Sequence, residues 1–182
     1  AVIPITVSAA TTTIDDTSLT DDTFIKSSKP NDSYGSATTL RLEPNKDRIF
    51  FRFAATETQR NAVANAGKIV LMYYTPGFTV TVVPNCVAHG LTGNYKNNWD
   101  EATLTHNKAA NELGLISFNN PVGALFPVPS SAWSIIDVTD YVKAQDDGVY
   151  AFKLELTVGS AHAPYSKEHT NKNKPKLMVY DL

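Results

Sequence analysis

The sequence predicts an all-β fold: an antiparallel β-sandwich of the jelly-roll type, with an N-terminal donor strand and one or two short helices. Three observations carry this. Apolar residues recur with period two, so that Ile49, Phe51 and Phe53 of "RIFFRFA" share one face of an extended strand. In "VYAFKLELTV" Tyr150, Phe152, Leu154 and Leu156 likewise oppose Ala151, Lys153, Glu155 and Thr157. Clusters of Asn, Gly, Pro and Asp such as "KPNDSYGS" and "TPG" separate these segments. Helical patterning is too scarce to supply the crossovers a parallel sheet needs. At 182 residues and 19.8 kDa the chain suits one domain with a substantial core.

The elements follow in order. The opening "AVIPITVSAA" puts Ile3, Ile5 and Val7 on one face, and residues 1–10 are expected to form a donor strand that buries this face in a neighbouring molecule. Residues 11–22, "TTTIDDTSLTDD", read as a Thr/Asp-rich connector, because low apolar content and like charges do not suit a tight hairpin. The jelly-roll domain is expected over 23–182. Its strands are "TTLRLE", "RIFFRFA", "KIVLMYY", "FTVTVV", "LISF", "WSIIDV", "VYAFKLELTV" and "KLMVYDL", part of a total of about ten. Helices are expected at "ETQRNAVANA", stopped by Gly67, and at "VTDYVKAQ", which Thr139 or Asp137 can cap and Gly148 ends.

Composition narrows the function. Charged residues make up 19% and the net charge is −2, which gives no general affinity for nucleic acid or anionic lipid. No apolar run approaches the roughly 20 residues that span a bilayer. A start at Ala1 without an initiator Met or apolar leader reads as a mature extracellular chain. Cys86 is the only cysteine, so neither an intrachain disulfide nor a thiol cluster can form, and its apolar neighbours read as the surroundings of an inert buried thiol. Asn31-Asp32-Ser33 is a glycosylation sequon in a turn-rich segment.

An enzyme is not expected. His89, His106, His162 and His169 are dispersed, and no nucleophile elbow or phosphate-cradling glycine loop is present. Asp100 and Glu101 are adjacent, so on a strand they would point to opposite faces and could not act as a pair.

Oxygen ligands are the better lead. Calcium takes six to eight oxygens at about 2.3–2.6 Å, which loop aspartates supply readily. The pairs Asp15 and Asp16, Asp21 and Asp22, and Asp146 and Asp147 are therefore the expected calcium ligands, with solvated turn aspartates as the alternative for any one pair. A sugar-binding face could gather Lys26, Tyr34, Arg41, Tyr165 and Lys167 if the first and last strands are neighbours; the alternative is a charged surface that keeps the protein soluble.

The segments "DDTFIKSSKPNDSYGSATTLRL", "RIFFRFA", "NNWDEATLTHNKA", "WSIIDVTDYVKA" and "YSKEHTNKNKPKLMVY" give the body a resemblance to the DNRLRE family, which includes carbohydrate-binding jelly-roll modules of extracellular proteins. That resemblance implies a jelly roll, an extracellular setting and polysaccharide binding. With its start "AVIPITVSA" and aspartate-rich connector, the chain also resembles the cannula proteins, subunits of hollow extracellular tubes made by hyperthermophilic archaea. That second resemblance implies calcium-promoted assembly of copies joined by donor strands. The expected function is a self-assembling subunit of an extracellular tube or filament, a head-to-tail homopolymer. The alternative is a monomeric carbohydrate-binding module for an extracellular polysaccharide.

Overall fold

A computed structural model describes residues 10–181 of the chain, with side chains from Thr11 onward. Ile3, Ile5 and Val7, the expected donor-strand residues, lie outside the described residues. Among those described there are nine strands: β1 (Ala10–Ile14), β2 (Leu19–Lys26), β3 (Asp47–Ala54), β4 (Lys68–Thr75), β5 (Asn85–Leu91), β6 (Pro121–Pro127), β7 (Ala132–Asp137), β8 (Val149–Val158) and β9 (Lys176–Asp181). They form two antiparallel sheets, ordered β1-β9-β4-β7 and β2-β3-β8-β5-β6. The chain crosses between the sheets at every connection except β2 to β3 and β5 to β6, so most paired strands are far apart in sequence. This is the expected sandwich.

Period-two alternation decides what lies between the sheets. Ile49, Phe51 and Phe53 of β3 and Tyr150, Phe152, Leu154 and Leu156 of β8 face Ile69, Leu71 and Tyr73 of β4 and Leu177 and Val179 of β9 in one buried cluster. Cys86 belongs to it, and burial pushes its thiol up to about 12, so it is inert. Helix α1 (Glu57–Asn65) starts at a capping box between Thr56 and Gln59 and stops before Gly67, as its sequence predicts. Helix α2 (Thr139–Lys143) follows Asp137, whose Oδ1 accepts from the Thr139 amide at 3.1 Å and its hydroxyl at 2.7 Å.

The outer faces of the two sheets differ. On the five-stranded sheet, Ile25, Phe50, Leu91 and Ala151 lie under Trp99, Leu104, Ala109 and Leu115, which come from the long connection between β5 and β6. That connection forms a cap held by charge. Lys153, 1% exposed, donates to the carbonyls of Ile116 at 3.0 Å and Phe118 at 2.6 Å. Arg52 donates to the Trp99 carbonyl at 2.7 Å and lies 4.9 Å from the Trp99 ring centre. No such cap lies over the four-stranded sheet among the described residues, and Ile135 of β7 is 59% exposed there.

Several expected elements are replaced. In place of a connector over 11–22, the chain runs β1, a turn at Asp15 and the first residues of β2. The turn forms because Asp15 Oδ1 accepts from the Thr17 amide at 3.1 Å and the Thr17 hydroxyl at 2.7 Å. "FTVTVV" is a loop pinned by the Ser160 hydroxyl, which meets the amides of Thr81 at 3.0 Å and Val82 at 3.2 Å. "LISF" is a turn inside the cap. "TTLRLE" forms only the isolated bridges Thr39 to Tyr165, Leu42 to His162 and Glu43 to Asp47, and its pairing with 162–165 goes no further because that segment contains Pro164, which has no amide to donate. The sequence reading also passes over β6, which begins and ends on proline and is interrupted by Gly123.

Candidate functional site

The uncovered sheet face carries a row of aromatic rings. Odd positions along β7 put Trp133 and Ile135 outward, while Ser134 and Ile136 are buried. On β4 the register sets Tyr74 beside Trp133 and Met72 beside Ile135. Beyond β4 the Tyr165 amide donates to the Tyr74 carbonyl at 3.1 Å, which extends the sheet by one more segment. The rings therefore line up across the strands. Trp133 meets Tyr74 edge-on at 5.6 Å between centres, Tyr74 stacks on Tyr165 at 5.5 Å, and Tyr165 stacks on His169 at 3.8 Å. Lys176 of β9 places its ammonium 4.6 Å from the centre of the Trp133 ring. All five residues are partly exposed. A partly exposed platform of aromatic rings flanked by a cation and by Met72 and Ile135 can receive the C–H face of a sugar ring and hydrogen-bond its hydroxyls.

A second cluster lies at the free edge of β2. The bulge after Leu19 adds one residue to this strand, so Leu19, Asp22 and Phe24 all face inward and Asp22 pairs with Phe51. Asp22 is 1% exposed. Its Oδ2 accepts from the Lys167 amide at 2.7 Å, and its own amide donates to Glu101 Oε2 at 2.9 Å. Lys167 donates to the same Glu101 oxygen at 2.6 Å and to the Thr20 carbonyl at 2.8 Å, and lies 3.6 Å from Glu168. Asp22, Glu101 and Glu168 each offer an oxygen, and these lie within 4.8 Å of one another. Burial, then the negative charge of Glu168, pushes the Asp22 carboxyl up to about 8, against the Lys167 amide and ammonium, which pull it down. This set of residues can coordinate a divalent cation.

The six aspartates expected as calcium ligands are not gathered in this way. Asp15 makes its turn, Asp16 pairs with Lys174 at 2.8 Å, and Asp21 pairs with Arg52. Asp147 meets Lys96 with both oxygens at 2.7 Å, and Asp146 is exposed beside it. Only Asp22 joins a group of three acids among the described residues, and its companions are Glu101 and Glu168. Asp100 instead accepts from the Thr103 amide at 3.0 Å and hydroxyl at 2.7 Å. Adjacency in sequence put two carboxylates side by side, and the fold satisfied most of them with lysine, arginine or a turn.

The expected sugar contacts also separate. Tyr165 stands in the aromatic row, and Lys167 stands in the acidic cluster two residues on. Tyr34 stacks on Phe24 at 4.2 Å, and Arg41 is held by Asp47 at 2.6 Å and Glu43 at 2.9 Å. Lys26 ends β2 opposite Asp47. Trp133, Tyr74, His169 and Lys176 were not foreseen. For Tyr74 and Trp133 the signal was in the strands: "KIVLMYY" and "WSIIDV" are apolar on both faces, and a sheet with one solvated face should alternate.

A family comparison decides what kind of protein presents this face. The model of carbohydrate-binding module family 96 matches residues 13–181, which takes in both sheets. The chain belongs to carbohydrate-binding module family 96. No curated protein matches it. Membership in a non-catalytic family of binding modules is consistent with the expectation that the chain is not an enzyme. Among the described residues, no helix of the module is long and apolar enough to cross a membrane.

Proposed function

We propose that the module binds an extracellular polysaccharide on the outer face of its four-stranded sheet, with Trp133, Tyr74 and Tyr165 as the platform. The observation that carries this reading is the row of three rings on the uncovered sheet face, with Lys176 beside Trp133. Rings on adjacent strands suit successive units of an extended polymer. The matched family supports the same choice of ligand. Calorimetry against a panel of neutral and acidic polysaccharides tests it. Trp133→Ala should weaken binding roughly tenfold or more, as expected for an aromatic anchor, whereas Phe78→Ala, whose ring is engaged by His162, should leave it near the parent value. Equal binding by parent and Trp133→Ala would move the site off this face.

Calcium-promoted assembly through a donor strand is the second reading. Its support is the apolar alternation of Ile3, Ile5 and Val7. Sedimentation of the full chain and of a chain lacking residues 1–9, each with millimolar calcium, tests it. Polymer formed only by the full chain supports that reading, and a monomer in both sinks it.

A further inference from the structure

The acidic cluster and the aromatic row are joined by one short stretch of chain: Lys167 and Glu168 border Asp22, while Tyr165 and His169 flank them in sequence. Two oxygens in the cluster are buried without a hydrogen-bond partner, Asp22 Oδ1 and Glu168 Oε2. Asp22 is also among the least exposed residues of the chain, at 1%. A buried carboxyl oxygen left unpaired is strongly unfavourable, so it calls for a partner, which is either a proton shared between Asp22 and Glu168 or a cation. Lys167 does not serve, because its ammonium is already engaged by Glu101 and the Thr20 carbonyl. Three carboxylates against one ammonium leave a formal charge that one divalent cation would cancel. The geometry permits it, since two oxygens bound to the same calcium at about 2.3–2.6 Å can lie up to about 5 Å apart.

We propose that Asp22, Glu101 and Glu168 hold one calcium ion, and that this ion fastens the segment carrying Tyr165 and His169 to the edge of β2. The site itself is independent of the sugar; only its consequence for sugar binding rests on the aromatic row being the platform. The ligands are all oxygens, which excludes a preference for soft metals. Glu101 comes from the cap, Asp22 from β2 and Glu168 from the segment before β9, so one ion would join three parts of the chain.

The test is calorimetry of the chelator-treated full chain with calcium chloride alone. One ion should bind per chain, and Glu168→Gln and Asp22→Asn should each weaken uptake about tenfold or more, while Asp146→Asn should not. Glu168 is partly exposed, so its variant should fold even if Asp22→Asn does not. Hydrogen exchange over residues 163–170 should slow with calcium in the parent and not in Glu168→Gln. No uptake by the parent, as expected if a proton shared between Asp22 and Glu168 satisfies both oxygens, would overturn the site. So would uptake unchanged in both acid variants, and uptake with no slowing of exchange would overturn the fastening. Because neither measurement contains sugar, a failure of polysaccharide binding would count against the platform alone.

Discussion

Burial holds the His162 imidazole neutral, its pKa pushed down to about 4 from the ordinary 6.5, with the Ser160 carbonyl pulling weakly the other way. Phe78 stacks on the ring at 5.2 Å and the residue is 4% exposed, so little water reaches it. The unfolded chain takes up this proton near 6.5 and the folded chain only near 4, so the stabilising contribution is complete above 6.5 and lost as the pH falls towards 4. The full loss is about 3 kcal/mol. Urea melts near pH 7.5 and near pH 4.5 should therefore show a smaller acid loss in His162→Gln than in the parent, and equal losses would contradict the buried neutral ring. Gly35 poses a steric demand of another kind. A Cβ there would sit 2.2 Å from the Glu101 carbonyl oxygen, a backbone atom that can move only by displacing its turn. Gly35→Ala should destabilise by roughly 1–3 kcal/mol and weaken calcium uptake by shifting Glu101, which paired melts and titrations would read; an unchanged affinity would uncouple Glu101 from the ion. The sequence marks Gly35 only as part of a turn cluster, because the close approach involves a residue 66 positions away.

Among the elements, the cap between β5 and β6 depends on a few charged groups that a hydrophobic pattern does not reveal. Glu155 is held down to about 2: burial alone would raise it, but the hydrogen bond from His89, the charge of Lys153 and the Arg48 guanidinium more than offset this. The Asn120 amide donates to His89 Nδ1 at 3.1 Å, so Nε2 carries the proton that meets Glu155 at 2.8 Å. Lys153 then ties this group to the carbonyls of Ile116 and Phe118. Lys153→Met keeps the stem but leaves two carbonyls without their donor, at a cost of roughly 2–4 kcal/mol. Faster amide exchange over 113–120, with the strands unaffected, is the expected result, and uniform exchange would mean the cap is held by Trp99 and Leu104 instead. Alternation made β3 and β8 legible, and apolar runs bounded by turn residues did the same for β4, β7 and β9. It could not separate a cap turn such as "LISF" from a strand, since both bury apolar residues. The bulge in β2 was equally hidden, because an extra residue at Thr20 is visible only against β3.

For the whole molecule, the asymmetry between the two sheets is the feature that matters, and it arises from contacts distant in sequence. The cap hides the outer face of one sheet and leaves the other free. Which strands would receive the cap was not written in their own residues. Tyr165 was legible as a partly exposed aromatic, but its neighbours Tyr74 and Trp133 read as core. Asp22 was legible as an acidic residue, while Glu101 and Glu168 came from segments that only the fold brings near. The pairing of β1 with β9 carries one more consequence. Ala10 faces Asp181 across a ladder, a separation of about 5 Å that a linker of a few residues can bridge. The chain over 10–181 can therefore be closed into a ring and reopened elsewhere, as at the exposed turn around Asn45, where φ is 60° and the ends would project into water. Such a circular permutant should retain the parent's affinity for polysaccharide and for calcium, because β7 with Trp133 lies at the opposite edge of the sheet and the new ends leave Asp22, Glu101 and Glu168 in place. Both anchoring points for a surface or a fused partner would then move from one rim of the sandwich to another, turning the orientation of the bound polymer into a matter of where the ring is cut.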